Sequence, residues 1–215
     1  MQKASGLLKG FAENEFDKRL LQLYVDRSLL EKQRQRYISA VNEFINKYGD
    51  VEVEIYSAPG RSEVGGNHTD HQGGMVLATA VNMDVIAVVE KTSDTKVSVF
   101  SEGYGETNIS IEQLDVVEEE KGTTAALIRG VLSELKKRGF NIGGFNAYIT
   151  SQVPEGAGLS SSAAFETLIG NIISGLFNDM KIDAVTIAQV GQYAENMFFD
   201  KPCGLMDQMA SSVGG

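Results

Sequence analysis

Between residues 10 and 48 the apolar positions recur at helical spacing. Phe11, Phe16, Leu20, Leu21, Leu23, Tyr24, Leu29, Leu30, Tyr37, Val41, Phe44 and Ile45 stand with polar residues between them. The pattern predicts two helices packing one face each on a core, broken near 26–28, where Asp26 and Ser28 supply a capping signal. At Val51 the period shifts to two. Val51, Val53 and Ile55 alternate with Glu52, Glu54 and Tyr56, which predicts a half-buried strand ending at the breaker Ala58-Pro59-Gly60.

A glycine-rich stretch fills 60–74, and an apolar one follows over 75–81. Residues 85–89 and 96–100 read as strands separated by Thr92-Ser93-Asp94. The acidic run Glu118-Glu119-Glu120 reads as a solvated turn or helix start. Leu127, Ile128, Val131, Leu132 and Leu135 share one face of a helix over 124–138, stopped by Gly139. A strand over 145–149 leads through a polar loop at 151–162 into an apolar helix over 163–176. A further helix is predicted over 182–199, then a tight loop at 201–208 and a final helix opening at Asp207 or Gln208. Strands and helices alternate without a regular βαβ period, so the predicted class is α+β, a mixed sheet with packed helices.

Composition narrows the function classes. The chain has 215 residues, 42% of them hydrophobic, and a net charge of −10. The apolar content fits a folded core, and the negative charge disfavours nonspecific binding to nucleic acid or anionic membranes. No apolar run approaches the ~18–20 residues of a membrane-spanning helix, and the first residues do not read as a signal peptide. The single cysteine, Cys203, excludes an internal disulfide framework, and the expected location is cytoplasmic.

The chemistry concentrates in three segments. The first is Pro154-Glu155-Gly156-Ala157-Gly158-Leu159-Ser160-Ser161-Ser162-Ala163-Ala164, between a strand and a helix. Gly156 and Gly158 allow close backbone approach, and the serines fall at a helix N-terminus, where free N–H groups favour an anion. An ordinary loop with an N-cap fits as well. It is neither a Walker loop, since no Gly-Lys-Ser/Thr follows, nor a Gly-x-Ser-x-Gly elbow. The missing elbow disfavours a serine hydrolase built on Ser160, His68 and Asp70.

The second segment, 58–74, carries Arg61, Glu63, Asn67, His68, Asp70 and His71 among five glycines. Short polar side chains on a flexible backbone suit a hydroxyl-rich ligand, and Asp70 is an acceptor for a vicinal diol. A structural loop or a metal site at His68, Asp70 and His71 are the alternatives, although adjacent Asp and His converge poorly on one ion. The third segment is Pro202-Cys203-Gly204-Leu205-Met206-Asp207-Gln208, which sets a carboxylate after a glycine turn. Asp207 also fits a plain N-cap, and Cys203 reads as a small packed residue.

The first segment resembles the Pro-x-Gly-x-Gly-Leu-Ser-Ser-Ser-Ala motif of the GHMP kinases. The second resembles the galactokinase signature Gly-Arg-x-Asn-x-Ile-Gly-Glu-His-x-Asp-Tyr-x-x-Gly at Gly60, Arg61, Gly66, His68, Asp70 and Gly74. It departs at Glu63, Gly65, Asn67 and His71. The third is similar to the galactokinase motif Pro-Cys-Gly-x-Met-Asp-Gln throughout. The three stand in the family's order from about residue 51 onward. The resemblance implies the GHMP-kinase N-terminal domain fold, of the ribosomal protein S5 domain 2 type, over 51–215. Residues 1–50 are then expected to form a helical extension packed on it. The family's second domain is expected to lie outside this chain, leaving the chain alone inactive.

It further implies a kinase that phosphorylates the anomeric hydroxyl of galactose with ATP and Mg²⁺. Asp207 and Arg61 would be catalytic, and Asn67, His68, Asp70 and Gly204 would hold the sugar. Gly156, Ala157, Gly158, Leu159, Ser160, Ser161 and Ser162 would hold ATP, and Ser162 and Glu195 the metal. Asn67 stands where the family has a glutamate near the sugar C6 group, which opens a galacturonate or relaxed-C6 alternative. A non-catalytic sugar- and ATP-binding sensor is a further alternative, which an ATP-consumption assay separates.

Overall fold

The structure is a computed structural model and describes residues 1–214. A short strand, β1 (Gln2–Lys3), precedes three helices, α1 (Ala4–Ala12), α2 (Asp17–Tyr24) and α3 (Leu30–Tyr48). Strands β2 (Glu52–Gly65), β3 (Leu77–Lys91), β4 (Lys96–Ser101) and β5 (Gly105–Ser110) follow. Then come α4 (Thr124–Lys137), β6 (Phe145–Ser151), α5 (Ser161–Asn178), α6 (Ala184–Ala194) and α7 (Met206–Val213).

The sheet order is β1-β2-β3-β6-β4-β5. β4 runs parallel to β6 and the other pairs are antiparallel, so the α+β class with a mixed sheet holds. Helices cover the two faces. Val85, Ala87 and Val89 of β3 point into a core with Ile128 and Leu132 of α4 and Leu168 and Ile172 of α5. Ile86 and Val88 point the other way, against Phe11, Tyr37, Val41 and Phe44 of α1 and α3. A strand buried on both faces loses the polar alternation of a half-exposed one, which is why 85–89 reads as a continuous apolar run.

The structure corrects several expectations. The first helical region holds a further break, because Asn14 takes a left-handed φ of 60° between α1 and α2. The predicted break is real: the Asp26 carboxylate accepts from Ser28 N at 2.8 Å. β2 is not half-buried, since Val53 enters one core and Tyr56 and Ala58 the other. Nor does it stop at Ala58; it runs to Gly65 with a register shift between Pro59 and Arg61.

The edge geometry explains why Pro59 is tolerated. Pro59 O accepts from Ser211 Oγ at 2.7 Å, and Arg61 N donates to Leu159 O at 3.1 Å. In an extended chain the amide and carbonyl of one residue point to the same edge, so the missing N–H of Pro59 faces α7 rather than β3. β5 was not expected at all. The predicted helix over 182–199 ends as α-helix at Ala194 and continues as a π turn over Glu195–Phe199.

Candidate active site

The bend of β2 carries Arg61 under the loop that joins β6 to α5. Gly60 permits this approach: a Cβ there would stand 2.9 Å from Leu159 O. Arg61 is 4% exposed, and each of its three guanidinium nitrogens has a polar neighbour. Its Nη1 donates to Gly158 O at 2.6 Å, its Nε donates to Asp207 Oδ1 at 2.7 Å, and its Nη2 lies 3.3 Å from His68 Nε2. A guanidinium spreads fixed donors over a plane, so one side chain ties β2, the 154–160 loop and α7 together.

In the loop itself Gly156 and Gly158 have φ of 68° and 72°, a region that only glycine enters without cost. Ser160 is also left-handed, at φ 52°. As the N-cap of α5 it gives no side-chain cap; its Oγ donates instead to Asp207 Oδ2. The N–H groups of the first turn of α5 therefore stay free for an anion.

Asp207 lies in the first turn of α7, one residue past its start, and is not an N-cap. Burial opposes its charge, but donation from Arg61 and Ser160 and the Arg61 charge outweigh burial. The carboxyl is held below its ordinary range. Asp70 accepts from Met206 N at 2.9 Å at the head of the same helix. A Cβ at Gly204 would stand 1.9 Å from the Asp70 carboxylate, so the glycine is what lets the two loops meet. His68 Nδ1 lies 4.0 Å from Asp207 Oδ1, and its Nε2 lies 3.2 Å from Glu63 Oε2.

Glu195, in the π turn, is 1% exposed. It accepts from Ser162 Oγ at 2.9 Å, from Lys201 Nζ at 2.8 Å and from Gln208 Nε2 at 2.8 Å. Among the described residues no group of three His, Cys, Asp or Glu, the trio His68, Asp70 and His71 included, stands close enough together to hold a metal ion.

These residues frame two adjoining cavities. One, of about 430 Å³, is lined by Arg61, His68, Asp70, Ser160, Gly204 and Asp207. The other, of about 660 Å³, is more apolar, with Tyr104, Leu127, Phe165 and Phe199 in its wall. Gly156, Ser161, Ser162 and Lys201 line both and so mark their junction. Asn67, Ala157 and Leu159 are not among the lining residues of the first cavity. Asn67 is exposed with φ 54°, and Leu159 packs against the core.

Sequence reasoning missed Glu166, Lys201 and the role of Gln208. Glu166 is fully buried and accepts from Gln208 Nε2 at 3.1 Å. Burial, and then the charge of Glu195, push its carboxyl well above the usual range. It follows Ser162 by one helical turn, so a glutamate inside an otherwise apolar helix was the available signal. Cys203 is half-buried and its thiol is pushed up, by burial first and then by Glu195, as suits a packed residue.

Comparison with known proteins gives two family matches, GHMP kinases N terminal domain over residues 126–215 and Galactokinase galactose-binding signature over residues 42–91. A galactokinase of Clostridium tetani is 37% identical over 172 residues, covering 80% of this chain and 44% of that protein. The Lactococcus lactis galactokinase complexed with galactose superposes with a TM-score of 0.73 at 28% identity, over 79% of this chain and 44% of that one. The Methanococcus jannaschii mevalonate kinase, at 17% identity and TM-score 0.64 over 76% of this chain and 52% of that one, shares the fold. The chain thus spans less than half the length of the galactokinases it matches.

Proposed function

Because the chain belongs to the galactokinase family of GHMP kinases, corresponding to the N-terminal part of its members, we propose that it forms the ATP- and sugar-binding part of a sugar 1-kinase. The reaction is transfer of the ATP γ-phosphoryl group to the anomeric hydroxyl of galactose. The observation that carries this reading is Asp207, a carboxylate held ionised by Arg61 and Ser160 at the wall of a polar cavity next to a helix N-terminus.

In this mechanism Asp207 accepts the proton of the anomeric hydroxyl as the oxygen attacks the γ-phosphorus and the bond to the ADP oxygen breaks. Arg61 fixes the Asp207 rotamer, keeps it charged and offsets negative charge as it moves toward the phosphoryl group. Asp70, His68 and the close approach at Gly204 hold the sugar. The 156–162 loop and the first turn of α5 cradle the phosphates. The apolar cavity beside them suits the adenine.

Ser162 lines both cavities and its hydroxyl lies 2.9 Å from the buried carboxylate of Glu195 behind it, a hard oxygen pair that fits Mg²⁺. Mg²⁺ takes one or two protein ligands and completes its shell from phosphates and water, so the lack of a larger cluster agrees with it. When bound, it neutralises phosphate charge. Residues 1–50 are read as an extension packed on a domain of 51–215, and the compartment as the cytoplasm. No helix among the described residues is long and apolar enough to cross a membrane.

The test is a coupled ADP-release assay with galactose, galacturonate and 6-deoxygalactose, run on the protein carrying this chain. Turnover on galactose supports the reading, and preference for galacturonate moves it to the C6-oxidised sugar. ATP and sugar binding without turnover in a protein of full family length would replace it with a sensor.

A further inference from the structure

Lys201 is the residue at the junction of the two cavities that the mechanism above leaves unused. Its Nζ lies 2.8 Å from Glu195 Oε1, the same oxygen that accepts from Ser162 Oγ at 2.9 Å. The two side chains differ sharply in exposure, 59% for Lys201 and 2% for Glu195. The ammonium therefore covers the outward oxygen of the carboxylate. The inward oxygen, Oε2, is taken by Gln208 Nε2 at 2.8 Å. A positive charge already stands where a metal ion would meet Glu195, and two cations cannot share one carboxylate oxygen without strong repulsion.

The backbone at this point is fixed while the side chain is not. Lys201 N donates to Glu195 O at 3.1 Å, Asp200 before it is left-handed at φ 67°, and Pro202 follows. Beyond this anchor runs a flexible four-carbon stem, 59% exposed, so the ammonium can leave Glu195 without moving the backbone once another cation takes its place. The groups that share its position are Gly156 of the preceding loop and Ser161 and Ser162, which stand at the N-terminus of α5. An ammonium displaced from Glu195 moves toward whatever anion those groups bind.

We propose that Lys201 is a placeholder cation and a phosphate ligand. It occupies Glu195 while the site is empty, gives way to a divalent cation, and transfers its charge to the phosphate group at the head of α5. This rests on reading the site as a metal- and nucleotide-binding one. It predicts opposite effects on two ligands. Removing the ammonium uncovers Glu195 for a metal and removes a donor from the phosphates.

The experiment titrates the protein carrying this chain with Mn²⁺ alone, followed by electron paramagnetic resonance, and with ADP in the presence of a chelator, followed by calorimetry. In Lys201→Met, Mn²⁺ should bind tighter and metal-free ADP weaker, each by about 2- to 5-fold, the size expected of an ion pair with one exposed member. Lys201→Arg should keep wild-type ADP affinity. Lys201→Gln repeats the measurement with a second uncharged side chain should the methionine variant fold poorly. Mn²⁺ affinity that is unchanged or weaker in both uncharged variants overturns the proposal. If Glu195→Gln weakens Mn²⁺ binding while the Lys201 variants change neither ligand, the lysine proposal falls and the kinase reading stands. A wild-type protein that binds neither Mn²⁺ nor ADP removes both.

Discussion

Two opposing influences meet on the Asp207 carboxyl. Burial pushes it toward the neutral acid, while the Arg61 and Ser160 bonds hold the charged form and prevail. Asp207→Asn keeps the shape and removes the base, so kcat should fall by about 10²–10⁴ with a smaller change in substrate affinity. Steady-state kinetics on both substrates checks the split. Glu195→Gln should act through the metal, raising the Mg²⁺ concentration needed for half-maximal rate; identical behaviour of the two variants would merge the roles kept apart here. The pH dependence follows from the direction of the shift. A carboxyl whose folded value is depressed adds stability above its unfolded value, here the ordinary 3.8, and loses it as pH falls through the lower folded value. The stability gap between wild type and Asp207→Asn should thus stay level above about pH 5 and close only below about pH 4. Denaturant melts across that range decide it. These residues were legible because motif loops keep their chemistry in consecutive positions. Lys201 and Glu166 were not, since what singles them out is their link to Glu195, direct at 2.8 Å for Lys201 and through Gln208 for Glu166, which exists only in the fold.

Among the elements, long helices with one apolar face were the easiest to read. The α4 face of Leu127, Ile128, Val131, Leu132 and Leu135 is buried as its spacing implies. Strands were harder. Pro59-Gly60 is a local stop signal, and tertiary contacts override it: Ser211 takes the Pro59 carbonyl, and the strand bends to deliver Arg61. β5 escaped notice because its buried positions reduce to Ile109, too few to set a period on an edge strand. The packing of α4 on α6 offers a direct test. A Cβ on Gly130 would stand 2.7 Å from Ala194 Cβ and 2.8 Å from its Cα, and backbone does not yield as a flexible side chain does. Gly130→Ala should destabilise the chain by about 1–3 kcal/mol despite the better helix propensity of alanine. A urea midpoint at or above wild type would show that the two helices can move apart. The test also bears on the site, since the π turn carrying Glu195 begins where that contact ends.

At the scale of the molecule, the order of the three motifs was legible in the sequence, and their convergence on one site only through the family resemblance. Nothing in local patterning says that β6 lies between β3 and β4, or that β4 and β6 run parallel. Those are long-range pairings, decided by which apolar faces must be covered together. The site draws on β2, the loop before α5, the π turn after α6, and α7, so a ligand that bridges them binds the folded chain alone. ADP with Mg²⁺ should therefore raise the melting temperature, and ligand at 100 times its Kd should add about 2.7 kcal/mol. No shift under saturating ligand would count against an assembled site in this chain. The span of the Arg61–Asp207 bond carries a consequence for synthesis. Its partners are 146 residues apart. At about 5–20 residues per second, a ribosome takes roughly 7–30 s to get from one to the other. For that interval the guanidinium has water in place of its carboxylate. By the end of it the strands and the helices up to α6 have been made, and the Arg61 side chain gains its carboxylate only when α7 emerges and folds back onto β2.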